Sequence, residues 1–144
     1  MIACIVVASE RRRKQVWERV VPSIIAQPFD EVVVVGDWIE LVPPQEVRYL
    51  CVAPLTRTTT DALVKRDAGT LATTSNILVY LCDDHALHPQ FAVYLRQVAD
   101  EPWDVLVPAR YCYVNGETIM LNSGAEHGYC GGHSGVFRRA VLQR

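Results

Sequence analysis

The sequence carries no charge excess: 14 basic residues stand against 16 acidic ones, for a formal net charge of −2 at pH 7. That balance excludes a dedicated nucleic-acid binder, even though 12 of the 14 basic residues are arginine and four of them stand together at 11–14. Phosphate recognition, if present, must be local, and the cluster at 11–14 reads more simply as a solvated helix face than as a contact for an acidic partner. Cys-x-x-Cys pairs are also missing. The five cysteines, at 4, 51, 82, 112 and 130, are odd in number and read as reduced thiols of a cytoplasmic protein, not as a disulfide framework. Residues 2–8 (IACIVVA) are too short to span a bilayer, follow no basic region and run into ERRRK instead of a cleavage site. Neither an export signal nor a transmembrane anchor is expected, and no internal repeat or low-complexity tract appears.

What is present is a chain of 144 residues, 50% hydrophobic, long enough to bury one sizeable core; a single domain over residues 1–144 is expected. IACIVVA is a continuous, β-branched apolar run, the habit of a strand buried on both faces in a parallel sheet. Ser9 can cap a helix running from Glu10 to about Gln27, with Val16, Val20 and Ile24 on its apolar stripe and Pro22 placed to kink it or end it early. Residues 30–38 (DEVVVVGDW) repeat the buried-strand pattern and stop at Gly36-Asp37. Residues 47–53 form a possible short strand. Asp61 opens a second helix with Leu63, Ala68, Leu71 and Ala72 on one side, followed by a strand at 76–82 (NILVYLC).

A third helix is expected at 88–99, with Pro89 in its first turn, then a strand at 104–109. RYCYV-NG-ETIML reads as a β-hairpin, because Asn115-Gly116 suits a type I′ turn. A Gly-rich loop and the start of a helix close the sequence. Alternating strands and helices make this an α/β three-layer sandwich around a mostly parallel sheet, with a late antiparallel hairpin.

In such sheets ligands gather at the carboxyl ends of the strands. Ser9, Asp37 and the Asp83-Asp84 pair all fall there. Taken singly, Asp37 could merely make a turn with Gly36, and Asp83-Asp84 could cap the helix near residue 88. Together they form a rim where a carboxylate can meet a base or ribose and paired carboxylates can hold a hard cation against a pyrophosphate. His85 and His88 beside Asp84 raise the question of zinc; with no thiolate in a ligand spacing to them, they read as structural histidines. A signalling receiver domain needs an acidic pair after its first strand, where this chain has Ala8-Ser9-Glu10.

Several stretches, in order, resemble the family-2 glycosyltransferases with the GT-A fold. IVVASERRRKQVWERVVPSIIAQ is similar to that family's opening strand and basic helix, and EVVVVGDW to its second strand, which ends on an aspartate contacting the nucleoside. ALVKRDAGTLATTSNILVYLCDD is similar to its Ala-Arg-Asn-x-Gly segment, helix and strand ending in Asp-x-Asp. HALHPQF matches the His-Pro or Met-Pro placed shortly beyond, and GGHSGVFRRAVL resembles the Gly-rich loop and Arg-Arg helix on the acceptor side. The resemblance covers nearly the whole chain. It implies a nucleotide-diphosphate sugar as ligand, a UDP-sugar in the first instance, with Mn2+ or Mg2+, and inverting transfer of the sugar to an acceptor hydroxyl.

Carried over position by position, the resemblance implies nucleotide-binding roles for Ser9, Asp37 (nucleoside), Arg66 (pyrophosphate) and Asp83 (ribose or a metal-bound water), with Asp84 as metal ligand. The sequence departs from the pattern at Cys82, which takes the first position of Asp-x-Asp, and at Asp67, where the family more often has Asn. The family's catalytic aspartate lies beyond the Arg-Arg helix, and this sequence ends at Arg144. That leads to an expectation of binding with slow transfer, with Glu126 as the first local candidate for the general base and His127 and His133 behind it. Two alternatives remain: a non-catalytic nucleotide-sugar-binding or interaction module, and a nucleotidyltransferase of related fold, whose Gly-rich, lysine-bearing phosphate loop is absent from the glycine-free VVASERRRK.

Overall fold

Apolar side chains at odd and even positions alike require a strand covered on both faces, and the computed structural model shows both covers. It describes residues 1–53, 59–106, 110–114, 117–121 and 135–142. Strands β1 (Ile2–Val7), β2 (Glu31–Gly36), β3 (Arg48–Cys51) and β4 (Ile77–Cys82) run parallel in the order β3-β2-β1-β4. β8 (Gly135–Arg138) pairs antiparallel with β4 and with β5 (Val105–Leu106), completing a six-stranded sheet.

The period of two along each strand separates two cores. Ile2, Cys4 and Val6, Val32 and Val34, and Ile77, Val79 and Leu81 face one side, where Val16, Val20, Val21, Ile24 and Leu95 cover them. Ala3, Ile5, Val33, Val35, Leu78 and Tyr80 face the other, against Ala68 and Ala72. Burying each such Val, Ile or Leu is worth roughly 1.5–3 kcal/mol, so the alternation fixes register as well as face.

The helical segment over 10–25 does not stop at Pro22. It runs as a 3-10 turn (Glu10–Arg12), a short α1 (Arg13–Gln15), a π-helical turn (Val16–Val20) and α2 (Val21–Ile25). A proline inside an α-helix clashes with the carbonyl four residues back, and the wider π turn just before it relieves that constraint. The Val21 N–H reaches back to the Val16 carbonyl, five residues away.

α3 (Thr59–Leu71) begins two residues before Asp61 and buries a different face from the one its leucines indicate. Leu63 is 52% and Leu71 85% exposed, while Lys65 and Gly69 turn to the sheet with Ala68 and Ala72. A Cβ on Gly69 would collide with Ile5 Cγ2, so the helix can approach this closely only with glycine there. α4 (Phe91–Gln97) starts after Pro89, not with it, and β5 (Val105–Leu106) falls within the expected strand at 104–109, of which residues 107–109 lie outside the described residues.

β6 (Arg110–Val114) and β7 (Glu117–Leu121) pair antiparallel with Val114 opposite Glu117, in the register a two-residue turn requires; Asn115-Gly116 itself lies outside the described residues. The expected final loop and helix contain β8 before α5 (Arg139–Leu142). Its four residues are too few to show a strand period in sequence. The α/β architecture with a mostly parallel sheet and a separate antiparallel strand pair is as expected. Among the described residues no helix is long and apolar enough to cross a membrane.

Candidate functional site

Val7 is level with both Val35 and Cys82, so the chain leaves β1, β2 and β4 at one height. Neighbouring strands lie about 4.8 Å apart, which brings residues 8–10, 37 and 83–84 onto one short rim. Ser9 occupies its middle. Its N–H and hydroxyl both donate to Asp83 Oδ2, at 3.0 and 2.8 Å, and the Glu10 N–H donates to Asp37 Oδ1 at 2.6 Å. Two carboxylates thus hold the start of the first helix from either side, where its unpaired N–H groups favour negative charge. Ser9 is therefore not the side-chain cap the sequence implies: its hydroxyl is committed across the sheet to Asp83.

Sequence reasoning missed Lys65. Its side chain is 2% exposed, and its ammonium donates to the Ala8 carbonyl (3.0 Å), Asp37 Oδ2 (3.0 Å) and Asp61 Oδ2 (2.8 Å). A buried ammonium is tolerable only when its donors are satisfied, and here three acceptors converge on it. Asp61 and Lys65 are four apart on α3, a spacing visible in sequence; their burial is not. With Oδ1 on Glu10 and Oδ2 on Lys65, Asp37 is oriented by contacts on both oxygens.

Arg12, read from sequence as part of a solvated face, turns to the acidic pair. Its Nη1 lies 3.1 Å from Asp84 Oδ2 and its Nε 3.6 Å from Asp83 Oδ1. Arg13 makes a bidentate pair with Glu40 at 3.1 Å, and the Trp17 and Trp38 indole N–H groups donate to the same carboxylate. Burial would raise the Glu40 pKa, but the hydrogen bonds from Trp38, Arg13 and Trp17 outweigh it and hold the group below its ordinary range. This cluster packs the first helix against the end of β2, with Trp17 and Trp38 edge to face at 6.4 Å.

Arg66 lies on α3 with its guanidinium 5.7 Å from the Tyr80 ring centroid, against the second core. Glu126, His127 and His133 lie outside the described residues.

The Cys82 carbonyl accepts the His85 N–H at 3.2 Å, closing a turn over 82–85. That turn brings Cys82, Asp84 and His85 together, with one ligand atom from each within 4.8 Å of the others. The sequence reading that no thiolate accompanies the histidines is corrected here for His85, though not for His88: a turn makes neighbours of side chains three positions apart. A carboxylate suits any divalent ion, whereas a thiolate and an imidazole suit Zn2+ or Co2+ better than Mg2+. The residues present fit a divalent cation, with Asp84 common to either kind.

No protein-family model and no curated protein matches the sequence. Solved structures do. The chain is similar to the mannosyltransferase PcManGT from Pyrobaculum calidifontis, solved with GDP-Man and Mn2+, at a TM-score of 0.65 and 16% identity over 99% of this chain and 46% of that one. It is also similar to residues 1–349 of TarS from S. aureus, at a TM-score of 0.57 and 13% identity over 99% of this chain and 48% of that one. The likeness is one of fold, and this chain spans less than half the length of each neighbour.

Proposed function

We propose that the protein is a glycosyltransferase of the inverting, GT-A-like kind that binds a nucleotide-diphosphate sugar with a divalent cation at the rim of Ser9, Asp37, Asp83 and Asp84. The observation that carries the reading is the levelling of the β1, β2 and β4 ends, with carboxylates on both sides of the first helix start, in a fold shared with the GDP-Man-bound mannosyltransferase. Asp37, oriented by Lys65 and the Glu10 N–H, reads the nucleoside. Asp83 fixes the β1–β4 junction through Ser9 and presents Oδ1 toward the ribose. Asp84, whose side chain is 42% exposed, holds the cation. Arg12 and Arg66 supply positive charge toward the diphosphate. The cation, when bound, offsets charge growing on the departing nucleoside diphosphate.

Inversion needs a base to take the proton from the acceptor hydroxyl as it attacks the anomeric carbon, and Glu126 is the local candidate, before His127 and His133. The donor is a UDP-sugar in the first instance and a GDP-sugar, as held by the mannosyltransferase, in the second.

The test is equilibrium binding of UDP and GDP to the 144-residue chain with and without Mn2+, for the wild type and Asp84→Asn. The wild type binds one of them more tightly with metal, and Asp84→Asn loses that increment while keeping the metal-free affinity. Unchanged metal dependence in the variant overturns the assignment of Asp84, and no binding of either nucleotide overturns the function.

A further inference from the structure

The turn at the end of β4 holds a set of ligand atoms that the Asp-x-Asp resemblance does not supply. Cys82 Sγ, an Asp84 carboxylate oxygen and a ring nitrogen of His85 lie within 4.8 Å of one another. A tetrahedral zinc ion, with bonds of about 2.0–2.3 Å, asks for ligand atoms roughly 3.3–3.8 Å apart, so side-chain adjustments on the order of 1 Å would close the site. The two oxygens of Asp84 divide the work: Oδ2 takes Arg12 at 3.1 Å, and Oδ1 faces His85 Nε2 at 3.9 Å. A cation on the Oδ1 side therefore need not displace Arg12.

We infer that Cys82, Asp84 and His85 form a three-ligand site for a borderline transition ion of the Zn2+ or Co2+ class, with a fourth position open to water or a phosphate oxygen. Three protein ligands and one open position is the arrangement of catalytic zinc sites. Mg2+ prefers six oxygens in octahedral geometry and gains nothing from sulfur, and Mn2+ stands lowest among the divalent first-row ions for nitrogen and sulfur ligands. On binding, the Cys82 thiol loses its proton to solvent and the thiolate bonds the metal, so uptake is weaker at acid pH. The inference rests on the proposed function only in sharing Asp84, and metal alone suffices to test it.

The experiment is titration of the nucleotide-free 144-residue chain with Co2+, read by absorbance. The wild type shows a sulfur-to-cobalt charge-transfer band and the visible bands of a tetrahedral ion, which stoichiometric Zn2+ abolishes and a large excess of Mg2+ does not. Cys82→Ser loses the charge-transfer band, although the exposed Cys51 remains. His85→Ala lowers Co2+ affinity at least tenfold with the fold intact by circular dichroism. Absence of the charge-transfer band in the wild type, or its persistence in Cys82→Ser, overturns the site. If the band is absent while nucleotide binding still depends on Mg2+ or Mn2+, the metal inference fails and the proposed function stands. If the band is present but no nucleotide binds, the function fails and the metal site stands.

Discussion

The two ends of the parallel strands carry comparable charge and use it differently. At the amino end, apart from the Arg96–Asp30 pair at 2.9 Å, the charged side chains terminate chiefly on the main chain. Glu31 accepts the Thr74 and Ser75 N–H groups and the Ser75 hydroxyl, while Asp30 accepts the Ile2 N–H at 2.6 Å. Arg139 donates to the carbonyls of Thr70, Thr73 and Ser75, and Arg138 to those of Ala99, Glu101 and Trp103. At the carboxyl end, Asp37 and Asp83 are anchored to the main chain, but Arg12 and Asp84 hold each other from half-exposed positions. A charge tied to main-chain groups cannot leave without orphaning them. A charge tied to another solvated side chain can exchange that partner for a ligand at little cost. The amino end is built to hold crossovers together, and the carboxyl end to be interrupted.

Lys65 tests that contrast most severely, because it sits at the carboxyl end and yet is buried, with the Ala8 main-chain carbonyl among its acceptors. Lys65→Met leaves Asp37 and Asp61 without their cation and is expected to destabilise by about 3 kcal/mol in urea unfolding. A loss below 1 kcal/mol would mean that water already reaches this pair, and the whole rim would then count as solvated.

Next in size is Glu31→Ala, expected to cost about 2 kcal/mol through the donors it orphans at Thr74 and Ser75. The same site gives a pH signature. Burial would raise the pKa values of Asp30 and Glu31. Hydrogen bonds from Arg96 and Ile2 to the former, and from Ser75 and Thr74 to the latter, hold both below the ordinary carboxylate range. Their folded values lie below the unfolded ones, so their stabilisation is complete above an unfolded pKa of about 4 and is lost as pH falls through the folded value. A pH series of unfolding midpoints should fall through that acid range, and the fall should be shallower in Glu31→Gln. An equal slope in wild type and variant would move the acid sensitivity elsewhere.

The smallest effect is expected at Arg12. Arg12→Ala should change stability by less than about 0.5 kcal/mol, since exposed ion pairs contribute little. By removing a positive charge beside Asp84, it should tighten Co2+ binding by up to about fivefold, the equivalent of roughly 1 kcal/mol. Weaker cation binding in this variant would show that Arg12 orients Asp84 instead of competing at it.

Much of this was legible in the sequence, and the reason lies in period. β1, β2 and β4 are buried on both faces, so unbroken apolar runs announce them, and the polar residue that ends each run marks the rim. β8 escaped because four residues are too few to show a period. The buried face of α3 was only half legible: the sequence puts Ala68 and Ala72 on it, but Gly69 joins them through its smallness, while the conspicuous Leu63 and Leu71 point outward. Lys65 and the Cys82–His85 neighbourhood were invisible for a related reason: burial and turn geometry decide them, and neither is written in residue type.

The π turn at Val16–Val20 also sets the angular phase of the first helix. An α-helix advances about 100° per residue, so accommodating one extra residue in a single turn rotates the residues before it relative to those after it. The stripe of Val20, Val21 and Ile24 is locked into the core, hence it is the amino-terminal part that carries the rotation. Arg12, directed at the acidic pair, and Arg13, directed at Glu40, owe their bearings to that offset. Shortening the segment by one residue would keep every side chain of the rim in the sequence and swing both guanidinium groups off their targets.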